Sequence, residues 1–284
     1  MKLGIHSMVW VGAWSPDEAR FAVESSARAG FDVIELAAAD PLSFDVAMTA
    51  ALLEEYGMEA SASLGLDEST DVSSPDPAIV AAGRRRLQDA LAIVRDTGGR
   101  YLCGVLYSKL GRYDAPPTAG DVERSQEAMA WLADLAAESG ITIGLEFCNR
   151  YETNIINTTR QTLDYIAAVD RSNLVAHLDT YHMNIEETGM REPVLAAAAA
   201  GKLGYVHIGE SHRGALGTGT VPWDDFFSGL LDSGYDGIVT FESFSSAVVH
   251  PSFSNALAIW RDTWTDNTGL ARDAIEFLRQ RLGR

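Results

Sequence analysis

The chain has 284 residues, 46% of them hydrophobic, enough to bury the core of one large α/β barrel as readily as of two small domains. Its formal charge of −18 at pH 7 argues against nucleic acid and anionic membranes, whose binding draws on clustered Lys and Arg. With no apolar run of about eighteen residues, and an opening Met1-Lys2-Leu3-Gly4-Ile5-His6 unlike a signal peptide, the chain reads as soluble and cytoplasmic.

In chain order, short apolar runs alternate with amphipathic stretches. Strands are predicted at 2–9, 31–37, 59–65, 101–107, 142–147, 174–179, 203–209 and 237–243. After the first, Ser15-Pro16-Asp17-Glu18 supplies an N-cap, a proline at the first helical position and a capping-box glutamate, and Gly30 stops the helix. Gly30-Phe31-Asp32-Val33-Ile34-Glu35 resembles Gly234-Tyr235-Asp236-Gly237-Ile238-Val239, one αβ turn used twice, and is assigned no functional meaning. The polar stretches 67–77 and 108–117 follow the third and fourth strands and read as lids or solvated connectors. Thr158-Thr159-Arg160-Gln161 repeats the capping box after the fifth strand. Cys103 and Cys148 read as reduced core residues. No linker or low-complexity segment divides the chain, so eight strands with helical crossovers predict a single (β/α)8 TIM barrel over 1–284.

The last four strands each end on a residue able to bind a hard cation: Glu146, Asp179, His207 and Glu242. A lone acid at a strand end is usually a helix cap or a solvated loop residue, and a lone histidine is usually a hydrogen-bonded core residue. Four such residues on four consecutive strand ends favour a single metal site at the carboxyl face of a barrel, where catalytic groups gather. Three carboxylates and one imidazole suit a harder divalent ion, Mn2+ first with Mg2+ or Co2+ as alternatives; zinc is a further alternative, although structural zinc prefers sulfur and histidine.

Four motifs carry a resemblance. Glu146-Phe147-Cys148-Asn149-Arg150-Tyr151-Glu152, His177-Leu178-Asp179-Thr180-Tyr181-His182, His207-Ile208-Gly209-Glu210-Ser211-His212-Arg213 and Phe241-Glu242-Ser243-Phe244 resemble the ketose 3-epimerases of the xylose-isomerase-like barrels. The resemblance implies that Glu146, Asp179, His207 and Glu242 hold the metal and that Glu146 and Glu242 are also the acid/base pair. It implies that Glu152, His182 and Arg213 hold the carbonyl end of a ketose, with Phe244 part of an apolar wall. Relatives of this kind form homodimers or homotetramers. A Glu152–Arg213 ion pair across the substrate is one expectation.

Three further positions are candidate substrate contacts. His6 stands where several family members carry a tyrosine, Gly65 at the end of strand three allows close backbone approach, and Trp14, after strand one, offers an aromatic face to sugar C–H groups, as does Trp10. An aldose–ketose isomerase or inosose dehydratase would use similar donors with different proton positions. A non-catalytic sugar-binding barrel would need no base on either face of the substrate.

Overall fold

The strand runs pair side by side and close on themselves. The computed structural model describes residues 1–38 and 44–283. Its eight strands are β1 (Lys2–His6), β2 (Val33–Ala37), β3 (Glu59–Leu66), β4 (Tyr101–Lys109), β5 (Thr142–Glu146), β6 (Leu174–Asp179), β7 (Leu203–Ile208) and β8 (Ile238–Phe241). All neighbours are parallel and in sequence order, and β1 pairs with β8 from Lys2↔Ile238 to Ile5↔Phe241, which completes a (β/α)8 TIM barrel.

Outside the strands lie α1 (Pro16–Ala29), α2 (Val46–Tyr56), α3 (Pro77–Asp96), α4 (Ala119–Ala137), α5 (Thr159–Val169), α6 (Thr180–Glu186), α7 (Arg191–Ala199), α8 (Trp223–Asp232), α9 (Pro251–Ala256) and α10 (Asn267–Arg281). α1 starts on a full capping box, with Ser15 and Glu18 each satisfying the other's backbone, and turns at Gly30 with φ 91°. Gly234 repeats that left-handed turn at φ 67°. The second predicted box is only half formed. Thr158 accepts from the Gln161 N–H, but Gln161 Oε1 accepts from Asn157, one residue before the cap. No described helix is long and apolar enough to cross a membrane.

Strand ends differ from the reading in two informative places. β1 stops at His6 because its ring Nδ1 accepts from the Met8 N–H and caps a short 3-10 turn over Ser7–Val9. β4 runs on to Lys109, and the two polar stretches that follow β3 and β4 are bonded to each other: Tyr113 donates to Asp71 at 2.8 Å and Lys109 meets Glu68 at 3.2 Å.

The barrel interior is polar just below its carboxyl end. Side chains alternate along a strand, and register places His6 beside Glu35, Glu146 beside His177 and Asp179 beside His207. Gly144 makes room beneath Glu146: a Cβ there would meet the Cβ atoms of Cys103 and His177 at 3.1 and 3.5 Å. Polar groups inside an otherwise apolar protein interior point to function.

Candidate metal centre and substrate pocket

Three strand ends bring possible ligand atoms together, and a fourth carboxylate stands beside one of them. Glu146 closes β5, Asp179 closes β6, His207 is the penultimate residue of β7 and Glu242 follows β8 directly. The ligand atoms of Glu146, Asp179 and His207 lie within 4.8 Å of one another, and all three residues are buried. Glu242 Oε1 is 3.4 Å from His207 Nδ1, and Glu146 Oε1 is 3.8 Å from the same nitrogen. His207 Nδ1 is buried with no hydrogen-bond partner. An orphaned imidazole nitrogen facing carboxylates is what a hard divalent cation requires.

The charges are strongly coupled. Burial pushes the Glu146 carboxyl up, but the imidazoles of His177, His207 and His182 outweigh it and hold the group below the ordinary carboxylate range. Burial pushes His207 down, and Glu35 and Glu146 reverse this to about 10. The two carboxylates favour a proton on His207 when no cation is bound. A bound divalent ion would take the place of that proton.

A pocket open to solvent lies above the donors, at the carboxyl end of the barrel where small-molecule sites gather. Its lining includes Glu146, Glu242, Glu152, His182, Arg213, Phe244, His6 and Gly65. Trp14 is not among the lining residues: its ring stacks on Phe44 at 5.6 Å and its Nε1 donates to Thr49 on α2, so the expected aromatic wall is packing between α1 and α2. Trp10 likewise packs edge-on against Phe21. At Gly65 the space a Cβ would take is filled by Leu110, at 2.8 Å. His6 keeps its place in the wall, with Nε2 3.1 Å from Ser63 Oγ and its ring edge-on to Phe244.

Arg213 departs from the expected pairing with Glu152. It donates instead to Glu242 and, at 3.4 Å, to Asp179, while its guanidinium lies 4.0 Å over the Tyr181 ring. Its backbone is left-handed, φ 59°, which turns the side chain back over the barrel. The loop carrying it is built around Glu210, a fully buried carboxylate that accepts from the backbone N–H groups of Ser211, Gly217 and Val221 and from Trp223 Nε1.

Asn149 does the same for the other wall. Its backbone N–H donates to His182 Nδ1 at 3.1 Å, and its Nδ2 donates to Glu152 Oε1 at 2.9 Å. Because Nδ1 accepts, the proton of neutral His182 sits on Nε2, 3.6 Å from both Glu146 and Asp179. This argues against His182 as a cation ligand, although Glu146, Cys148 and His182 also cluster. Cys148 Sγ and Arg213 Nη2 each lie 3.3 Å from His182 Nε2. Sequence reasoning assigned no role to Asn149 or Glu210, although both lie inside the motifs it used.

Comparison with known proteins agrees with this geometry. The xylose isomerase-like TIM barrel family model matches residues 23–281. The L-ribulose 3-epimerase of Methylomonas sp. (strain DH-1) is 52% identical over 281 residues, 99% of this chain and 98% of that protein. The ketose 3-epimerase of Arthrobacter globiformis is 50% identical over 282 residues, 99% and 97% of the two chains. The crystal structure of a Methylomonas sp. D-allulose 3-epimerase in complex with D-allulose superposes with a TM-score of 0.97 at 52% identity, covering 99% of this chain and 97% of that one. The chain belongs to the ketose 3-epimerases among the xylose isomerase-like TIM barrels, and is an enzyme of the isomerase class.

Proposed function

We propose that this chain is a metal-dependent ketose 3-epimerase that interconverts C3 epimers of free ketoses, such as D-fructose with D-allulose or D-tagatose with D-sorbose. The observation that carries the reading is that two carboxylates from well-separated strands, Glu146 and Glu242, flank one orphaned imidazole nitrogen at 3.8 and 3.4 Å. Epimerisation removes the C3 proton from one face and returns a proton to the other, so it needs a base on each side. Ionised Glu146 takes the C3 proton on one face and Glu242, entering the step protonated, gives its own proton to the opposite face, with a cis-enediolate between; the step leaves Glu146 protonated and Glu242 ionised, the starting state for the other epimer.

Glu146, Asp179, His207 and Glu242 would hold a divalent cation, Mn2+ by donor type, with Mg2+ or Co2+ as substitutes. When bound, that ion supplies polarisation of the substrate carbonyl and stabilisation of the charge that develops there. His182 Nε2–H and Arg213 orient the carbonyl end and offset negative charge. Glu152 accepts from a terminal hydroxyl. Phe244 and His6 close the far wall and help exclude water.

The whole chain acts as one catalytic unit in this reading. Two buried free thiols, Cys103 and Cys148, accord with a reducing cytoplasm. Tyr151, 65% exposed, and Ile185, 38% exposed, flank the Arg150–Glu186 pair and offer apolar contact to a second copy, in keeping with a homodimer or homotetramer. The test is a ketose panel incubated with chelated and then Mn2+-restored protein and separated by sugar chromatography. C3 epimers appearing only after restoration support the reading; aldose products, or binding without turnover, refute it.

A further inference from the structure

Beneath the donor cluster lies a carboxylate that the reaction above does not use. Glu35 on β2 is fully buried, and its Oε2 accepts from His207 Nε2 at 2.8 Å and from the Tyr205 hydroxyl at 2.7 Å. Its other oxygen has no hydrogen-bond partner and faces His6 Nε2 at 3.6 Å. The Tyr205 hydroxyl, having given its proton to Glu35, accepts from Thr240 at 2.8 Å and Ser61 at 2.7 Å. Four strands besides β2 thus hold this one side chain. An ionised carboxylate in a barrel interior is costly, and an apolar residue would pack there at lower cost. Its presence calls for a chemical reason.

The reason lies in the two nitrogens of His207. A carboxylate only accepts, so the nitrogen facing it must carry a proton. With Nε2 so fixed, the lone pair of neutral His207 is on Nδ1, the nitrogen that faces Glu146 and Glu242 and lacks any other partner. We propose that Glu35 is a positioning residue that locks His207 in its Nε2–H form and so makes Nδ1 the cation-binding atom, with Tyr205 fixing the carboxylate in turn. This rests on the reading of Glu146, Asp179 and His207 as a cation site. It also gives a role to the apolar turn-and-strand segment ending at Glu35, which as sequence looks like a repeated αβ connection alone.

The test measures Mn2+ binding directly, by electron paramagnetic resonance of the free ion, in wild-type protein and in Glu35→Gln. A carboxylate behind a metal-bound histidine is worth about 10- to 100-fold in affinity, so the variant should bind Mn2+ that much more weakly and recover turnover at saturating Mn2+. A merely structural role would lower the thermal midpoint and leave the Mn2+ dissociation constant unchanged, and that result overturns the inference. If wild-type protein binds no Mn2+, the cation reading itself fails and takes the inference with it. Should Glu35→Gln not fold, nitrogen-15 spectra of wild-type protein titrated with Zn2+ decide the matter, the His207 signals being those absent from His207→Gln. A shift at Nδ1 with Nε2 still protonated supports the proposal; metal on Nε2 overturns it.

Discussion

Arg213 donates to one oxygen of Glu242 while the other oxygen of that carboxylate faces His207 Nδ1 at 3.4 Å. The same guanidinium nitrogen reaches Asp179 at 3.4 Å, and the guanidinium plane lies over Tyr181. Arg213 therefore spans two of the proposed donors, and its second terminal nitrogen lies 3.3 Å from His182 Nε2. Lysine has neither the fork nor the flat face for this. Arg213→Lys should lower kcat/KM by about 100-fold, equivalent to about 2.7 kcal/mol of transition-state stabilisation. Steady-state kinetics with a ketose substrate checks this, and a near-wild-type value would show that the clamp is not used.

Glu146→Gln and Glu242→Gln should each lose nearly all turnover, by at least about 1,000-fold, within the range of about 100- to 10,000-fold that general acid–base catalysis contributes. Because both residues are also proposed ligands, Mn2+ binding must be measured beside the kinetics. A variant that retains both its ion and near-wild-type C3 exchange would be removed from the acid/base role.

Asn149→Ala should weaken both residues that Asn149 organises. Glu152 loses its 2.9 Å donor, and His182 loses the Asn149 Nδ2 that lies 3.0 Å from its Nδ1 and keeps the backbone donor there. A loss of about tenfold in kcat/KM, or 1.4 kcal/mol, is expected from one lost hydrogen bond to a charged or reacting group. An increase in KM larger than the fall in kcat would assign the effect to substrate holding.

Glu210 gives a pH-dependent prediction. Burial pushes its carboxyl up, but the N–H groups of Ser211, Val221, Trp223 and Gly217 outweigh it and hold the group below the ordinary value. A carboxyl lowered on folding stabilises the protein above its unfolded value of about 4.3 and loses that contribution as pH falls through the folded value. Glu210→Gln should cost about 2–3 kcal/mol at neutral pH and flatten the acid limb of the stability curve below pH about 4.3. Urea titrations at several pH values test this; parallel acid limbs for both proteins would contradict it.

Much of the barrel was legible because apolar strand runs and capping residues are local signals, and Glu146, Asp179, His207 and Glu242 were legible because each ends such a run. What was not legible depends on closure of the ring. Glu35 meets His207 from 172 positions away and Tyr205 from 170, and no local pattern brings them together. One signal was available: a glutamate inside Val33-Ile34-Glu35-Leu36-Ala37, an apolar strand where an acid is costly. Trp14 misled for the complementary reason. An aromatic after a strand resembles a pocket wall until its stacking partner Phe44 and acceptor Thr49 are known. The Glu152–Arg213 pairing was displaced because Arg213, left-handed at its backbone, pairs with Asp179 and Glu242 at the ends of β6 and β8.

The central claim is that this site moves the C3 proton of a free ketose through two opposed carboxylates and a bound cation. Incubation of Mn2+-loaded protein with D-fructose or D-allulose in deuterated water, followed by proton NMR of the recovered sugars, tests it most directly. The account predicts deuterium at C3 of both epimers, abolished by chelation and restored by Mn2+. Aldose products, label at C1 instead of C3, or exchange that persists without any divalent ion would contradict it.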